Sequence, residues 1–190
     1  MYPVVSTELK RTGIHGLFVI PGEVHADSRG VFVEMFEKEK FAALGIYPSF
    51  DQDAISCADK RGTVRGFHFQ REPHAQAKLV RCQRGAIYDV AVDLRRSSPS
   101  YLEKFSIELK EDEWRWLYLP PGIAHGFCTL AENTQVVYKI SGKYSPRHAS
   151  GINWLDPEIG IDWPVTASQA TLSTSDHELP EFDADKIYFT

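Results

Sequence analysis

The chain has 190 residues, with 21 Lys plus Arg against 26 Asp plus Glu and a formal net charge of −5. That length suits one folded unit over residues 1–190, and 43% apolar with 25% charged residues excludes wholesale disorder. An acidic chain without a basic block excludes a phosphate-backbone binder, so no nucleic-acid partner is expected, and the composition excludes membrane spans and coiled coils.

In chain order, Met1 to Pro21 offers only a short apolar stretch around Ile14 to Ile20, interrupted by His15 and Gly16. It lacks the longer apolar region of a signal peptide, so the expected compartment is the cytosol. Val31 to Phe36 alternates apolar and polar residues and reads as a strand. Glu37 to Leu44, EKEKFAAL, is the best helix candidate, rich in helix formers and ending at Gly45. Ala86 to Leu94 places Ile87, Asp89, Ala91 and Asp93 on one face and Tyr88, Val90, Val92 and Leu94 on the other. Phe105 to Leu109, Trp114 to Leu119 and Thr134 to Ile140 continue the strand pattern. Turn signals punctuate these runs at Pro21-Gly22, Arg29-Gly30, Arg61-Gly62, Arg84-Gly85, Ser97 to Ser100, Pro120-Pro121-Gly122 and Ser145-Pro146. Short strands at this spacing, with 12% aromatic residues, predict an all-β sandwich or barrel with few short helices. The polar tail beyond Pro164 is expected to wrap that barrel. Cys57, Cys82 and Cys128 are far apart with no C-x-x-C, which fits small buried hydrophobes better than a disulfide framework or zinc ribbon.

Three blocks could carry chemistry. In Arg61 to Arg81, RGTVRGFHFQREPHAQAKLVR, the residues Arg65, His68, Gln70, Lys78 and Arg81 are interleaved with apolar ones. Period-2 register puts His68 and Gln70 on one face with Gly66, and Phe67 and Phe69 on the other. A half-solvated strand face explains His68 alone, but not an imidazole flanked by the cations Arg65 and Lys78. In Leu117 to Thr129, LYLPPGIAHGFCT, His125 reads equally as a buried, hydrogen-bonded histidine or as a ligand group. In Val136 to Pro146, VVYKISGKYSP, Tyr138 and Tyr144 each read as core or as functional. Metal ligands on a strand require positions i and i+2, but the residue two after His68 is Gln70 and His125 has no ligand type at i±2. No metal and no cofactor are therefore expected, and no dinucleotide or phosphate loop motif is present.

Taken in order, these blocks resemble the nucleotide-sugar 3,5-epimerases of deoxysugar biosynthesis, the dTDP-4-dehydrorhamnose 3,5-epimerase family. The resemblance spans roughly Gly16 to Asp176 and rests on DSRGVFVEMF (Asp27 to Phe36), QDAIS (Gln52 to Ser56), GTVRGFHFQ (Gly62 to Gln70), AQAKLVRCQRGAIYDVAVDLRRSSPSY (Ala75 to Tyr101), LPPGIAHGF (Leu119 to Phe127), VVYKISGKYSP and GINWLDPEIGIDWP (Gly151 to Pro164). It implies a double-stranded β-helix (a cupin-like jelly roll), a homodimer, no metal, and a nucleoside-diphosphate 4-keto-6-deoxysugar as substrate. By this resemblance His68 is the proton acceptor, Tyr138 the proton donor and Asp176 the carboxylate that orients the histidine. Arg29, Glu34, Gln52, Arg65, Lys78 and His125 match substrate-contacting positions, and Tyr144 matches the residue that stacks on the base.

The residue types suit that chemistry. A 4-keto group acidifies the hydrogens at C3 and C5, so a neutral imidazole with a reference pKa of about 6.5 can remove them. Lys78 is the natural cation for the oxyanion at C4, and arginine forks match a diphosphate. The chain departs from the family at Ala54 (usually Asn), Ala149 (usually Glu) and Ser175 (usually Lys), and has GFHFQ for GLHYQ. The expectation is retained catalysis with altered recognition. Rival readings are a single-centre epimerase or ketoisomerase on a related nucleotide sugar, and a non-catalytic sugar-binding barrel.

Overall fold

The computed structural model describes residues 9–47 and 49–190, so residues 1–8 of the segment read above for a signal peptide lie outside the described residues. In chain order the elements are β1 (Lys10–Arg11), β2 (Phe18–Pro21), β3 (Glu23–Asp27), β4 (Gly30–Glu34), α1 (Lys38–Ala43), β5 (Phe50–Ala58), β6 (Val64–Gln70) and β7 (Lys78–Arg84). They continue with β8 (Ala86–Asp93), β9 (Lys104–Lys110), β10 (Arg115–Leu119), β11 (Ile123–Thr129), β12 (Thr134–Ser141), β13 (Ala149–Gly151) and α2 (Thr174–His177). The strands pair antiparallel in two large sheets, ordered β1-β2-β10-β7-β12-β5 and β13-β6-β11-β8-β9, with β3 and β4 forming a separate hairpin. This is the all-β architecture the strand pattern predicts, in the jelly-roll form that the resemblance implies.

The two sheets face each other across one apolar layer. Val19, Val80, Cys82, Leu117, Leu119 and Val136 of the first sheet meet Ile87, Ala91, Leu109, Ile123 and Phe127 of the second. Alternation then fixes what else points inward: Lys78 shares a face with Val80, Asp89 with Ile87 and Ala91, His125 with Ile123 and Phe127, and Tyr138 with Val136. The outer face of the second sheet is closed by the tail, where Ile152, Ile159, Phe182, Tyr188 and Phe189 cover Phe67, Phe69, Val90, Val92 and Ala124. Parallel bridges Thr63–Thr171 and Arg95–Phe189 hold that tail in place. On the first sheet, Phe41 and Ile46 cover Ile20, Leu79, Trp116 and Tyr118. Helix α1 begins where Glu37 caps it, its carboxylate accepting from the Glu39 and Lys40 amides at 2.9 Å.

One irregularity shapes the site. His68 pairs with His125 and Arg65 with Phe127, so β6 spends three steps where β11 spends two. Strict alternation puts Arg65 and His68 on opposite faces; the bulge turns both inward. Gly66 makes it possible, with φ +114° and no room for a side chain: a Cβ would lie 2.6 Å from both His125 O and Gly126 Cα.

Two sequence expectations change at this level. Cys82 and Cys128 are buried, but Cys57 is exposed on the outward side of edge strand β5. The polar tail also contains α2, a four-residue helix that no periodicity announced.

Candidate active site

The inner face of the barrel gathers side chains from five strands and helix α2. His68 of β6 bonds through Nε2 to Asp176 Oδ1 at 2.6 Å, the histidine being 48% exposed to the cleft and the carboxylate only 4% exposed. Asp176 stands in the first turn of α2, its amide donating to the Ser173 hydroxyl that caps the helix. Burial opposes its charge, yet the His68 hydrogen bond and charge, Ser173 and Arg65 together hold its carboxyl below the usual carboxylate value. An ionised carboxylate can only accept, so His68 carries its proton on Nε2 and leaves Nδ1 as the basic nitrogen.

Opposite His68 in register stands His125, whose Nε2 lies 3.0 and 2.9 Å from the two oxygens of Asp89. The His125 ring meets Tyr138 edge-on at 6.4 Å between centroids. Thus the second sheet supplies His68, His125 and Asp89, and the first sheet supplies Lys78 and Tyr138. Burial drives the Lys78 ammonium down to about 8, with the charge of Asp89 opposing the change. Burial also pushes the Tyr138 phenol far up; Asp89 adds to that, and Arg65 opposes it. The cluster therefore holds an oriented imidazole base, a protonated phenol and an enclosed cation, which is the equipment for moving a proton on and off carbon next to a carbonyl.

The remaining predicted residues divide. Gln52 and Ala54 of β5 lie opposite Ile140 and Tyr138 and share the inward face, Gln52 donating to Gly142 O. Tyr144 is 64% exposed in the loop after β12. Gln70 pins this loop: its amide donates to His74 O at 2.9 Å and Lys143 O at 3.2 Å, and its carbonyl accepts from the Ser145 amide at 2.6 Å. Arg29 and Glu34 are not part of the cluster. They sit on the β3–β4 hairpin, where Arg29 forks onto Asp27 and Glu34 pairs with Lys40. Ala149 stands opposite Gln70, and Ser175 next to Asp176 shares a hydrogen bond with Ser173. Among the described residues, no group of three or more His, Cys, Asp or Glu side chains is placed to hold a metal ion.

Sequence reasoning missed Asp89, which alternation grouped with Ile87, Ala91 and Asp93 and which looked like one of two acids on a strand face. Its partner His125 lies 36 residues away, and no local spacing connects them.

Comparison with known proteins identifies the family. The family model described as dTDP-4-dehydrorhamnose 3,5-epimerase matches residues 11–184. A dTDP-4-dehydrorhamnose 3,5-epimerase of Sinorhizobium fredii is 46% identical over 154 residues, covering 81% of this chain and 78% of that one. A dTDP-4-dehydrorhamnose 3-epimerase of Streptomyces niveus is 43% identical over 158 residues, covering 83% and 76%. The crystal structure of the Bacillus anthracis dTDP-4-dehydrorhamnose 3,5-epimerase with TDP and PPi bound superposes with a TM-score of 0.88 at 42% identity, covering 92% of this chain and 99% of that one. The chain is thus an isomerase by descent, and it belongs to the dTDP-4-dehydrorhamnose 3,5-epimerase family.

Proposed function

We propose that this chain inverts C3, C5 or both in a nucleoside-diphosphate 4-keto-6-deoxysugar of the dTDP-4-dehydro-6-deoxyglucose type, using side-chain acid–base chemistry without a metal. One observation carries the reading: the His68–Asp176 dyad at 2.6 Å stands in register with His125, whose ring touches Tyr138 from the facing sheet. His68 Nδ1 takes the proton from C3 or C5, and the C–H electron pair moves through the ring to the C4 oxygen. The Lys78 ammonium stabilises that enolate oxygen. Asp176 stabilises the imidazolium that forms. Tyr138 returns a proton to the opposite face of the same carbon, which inverts it, and exchange with solvent resets both groups.

Arg65, Gln52 and His125 would hold the diphosphate and sugar, with Tyr144 stacked on the base. Support comes from the TDP and PPi bound in the B. anthracis relative. Arg29 and Glu34 reach a cleft only if the hairpin serves a second subunit, so the reading includes a homodimer. The free-standing hairpin with Phe32 exposed on it, and exposed Ile55 on edge strand β5, support that assembly. Among the described residues no helix is long and apolar enough to cross a membrane; a cytosolic setting is part of the proposal and fits the exposed free thiol of Cys57.

A single-centre reaction is the second reading, favoured by the S. niveus relative named a 3-epimerase. Incubating the protein in D2O with dTDP-, CDP-, GDP- and UDP-4-keto-6-deoxyhexoses, followed by NMR, tests both. Deuterium and inverted configuration at both carbons support double epimerisation, and labelling of one carbon supports the second reading. Absence of exchange with every sugar refutes the enzyme.

A further inference from the structure

The titratable and charged side chains facing the barrel interior at the site are Lys78 from β7, Asp89 from β8, His125 from β11 and Tyr138 from β12. Arg65 and His68 from β6 and Asp176 from α2 complete the set. The proposed chemistry uses all of these but Asp89. Yet Asp89 is the most enclosed, with 0% exposure. Moving a carboxylate out of water costs several kcal/mol unless hydrogen bonds and charge compensate it. Among the described residues its side-chain hydrogen bonds run to one atom, His125 Nε2, which leaves most of its acceptor capacity to be met by surrounding positive charge. From the facing sheet Tyr138 packs edge-on against the His125 ring that Asp89 holds, and the Asp89 charge acts on both Tyr138 and Lys78, each a proton-bearing group. A negative charge beside either makes its proton harder to lose.

We propose that Asp89 is a positioning residue of the epimerisation, one buried carboxylate that keeps Lys78 and Tyr138 loaded with their protons and fixes the His125 proton on Nε2. This rests on the functional reading above and deepens it. Lys78 needs its charge to stabilise the C4 oxyanion, and Tyr138 needs its proton to deliver it. Burial alone works against the first, since the Lys78 ammonium already lies near 8 with Asp89 present. With the carboxylate gone, a neutral amine would face the enolate at physiological pH. The Nε2–H···Asp89 contact also leaves His125 Nδ1 as an acceptor for a sugar hydroxyl.

The test is an NMR titration of the lysine side chains in the wild type and in Asp89→Asn, joined to the pH dependence of kcat for deuterium exchange. In the wild type, the basic limb and the Lys78 midpoint are expected to coincide at about 8. In Asp89→Asn both move down together by about one unit or more. The loss in kcat grows with pH, reaching about fivefold at pH 8 and about tenfold well above it for a one-unit shift, and Asp89→Glu restores part of the shift. A Lys78 midpoint that stays put in Asp89→Asn, or a basic limb that moves without it, overturns the proposal. Should the Asn variant not fold, the wild type decides: a histidine nitrogen spectrum with the His125 proton on Nδ1, or Lys78 titrating at the ordinary lysine value, overturns it equally. The titration needs no substrate. A chain inert towards every nucleotide sugar therefore refutes the functional reading, and leaves the titration to judge Asp89.

Discussion

Replacing Asp176 by Asn removes one charge from a contact of 2.6 Å and leaves the shape of the side chain almost unchanged. In the proposed proton abstraction His68 becomes an imidazolium, which the carboxylate would stabilise. Unit charges centred about 4 Å apart attract by roughly 4 kcal/mol at an effective dielectric of about 20. His68 is 48% exposed, so solvent screening reduces that to roughly 2–3 kcal/mol, or about 30- to 150-fold in rate. The asparagine adds a second penalty, because its NH2 can donate to Nε2 and move the ring proton onto Nδ1, the atom required as the base. Deuterium entry at C3 and C5, timed by NMR, is therefore expected to slow by about 100-fold or more. Stability follows a different course. The Asp176 carboxyl is held below its ordinary value of 3.8, so its contribution is present above that pH and is lost as pH falls through the folded value. Wild type and Asp176→Asn should accordingly differ least in Tm at the most acidic pH. A folded variant that exchanges within a few-fold of wild type refutes the dyad.

Tyr138→Phe should suppress formation of the inverted product more than deuterium washout, since abstraction by His68 survives; an equal fall in both contradicts a separate donor. Gly66→Ala forces a Cβ to within 2.6 Å of backbone atoms at φ +114°, and should destabilise the chain by roughly 1–3 kcal/mol in urea unfolding. An unchanged midpoint means the bulge relaxes freely. Gln70→Leu unpins the Tyr144 loop, so KM for the nucleotide sugar should rise several-fold with kcat largely kept; a fall confined to kcat speaks against a loop-positioning role. Burial pushes the Cys82 and Cys128 thiols up to about 12 and about 11. Ellman's reagent should therefore titrate Cys57 quickly in the folded protein and the other two thiols only on unfolding.

Much of this molecule is legible in local sequence. The alternation of Ala86 to Leu94 groups Asp89 with Ile87 and Ala91, the face that the structure turns into the barrel, and EKEKFAAL before Gly45 correctly marks α1. What stays hidden is the consequence of long-range pairing. Arg65 and His68 share a face only because β11 advances two residues while β6 advances three, and nothing within GTVRGFHFQ other than Gly66 hints at it. Asp176 belongs to a helix too short to have a period, so only the family resemblance reached it. The same resemblance matched Arg29 and Glu34 to substrate contacts, whereas within one chain they lie apart from the cluster, on the separate β3–β4 hairpin. Cys57 looks apolar in sequence, but β5 is an edge strand and turns it outward.

The His68–Asp176 pair closes a loop of 108 residues, and His125–Asp89 closes one of 36. No local nucleus can therefore assemble the site. Hairpins such as β8–β9 can form early, but His68 meets Asp176 only when the far end of the chain has docked, after most of the loop entropy has been spent. Refolding should show strand signal and tryptophan burial recovering before turnover does. α2 then acts as the final clasp, and competence for proton transfer reports completion of the whole fold rather than of any part of it.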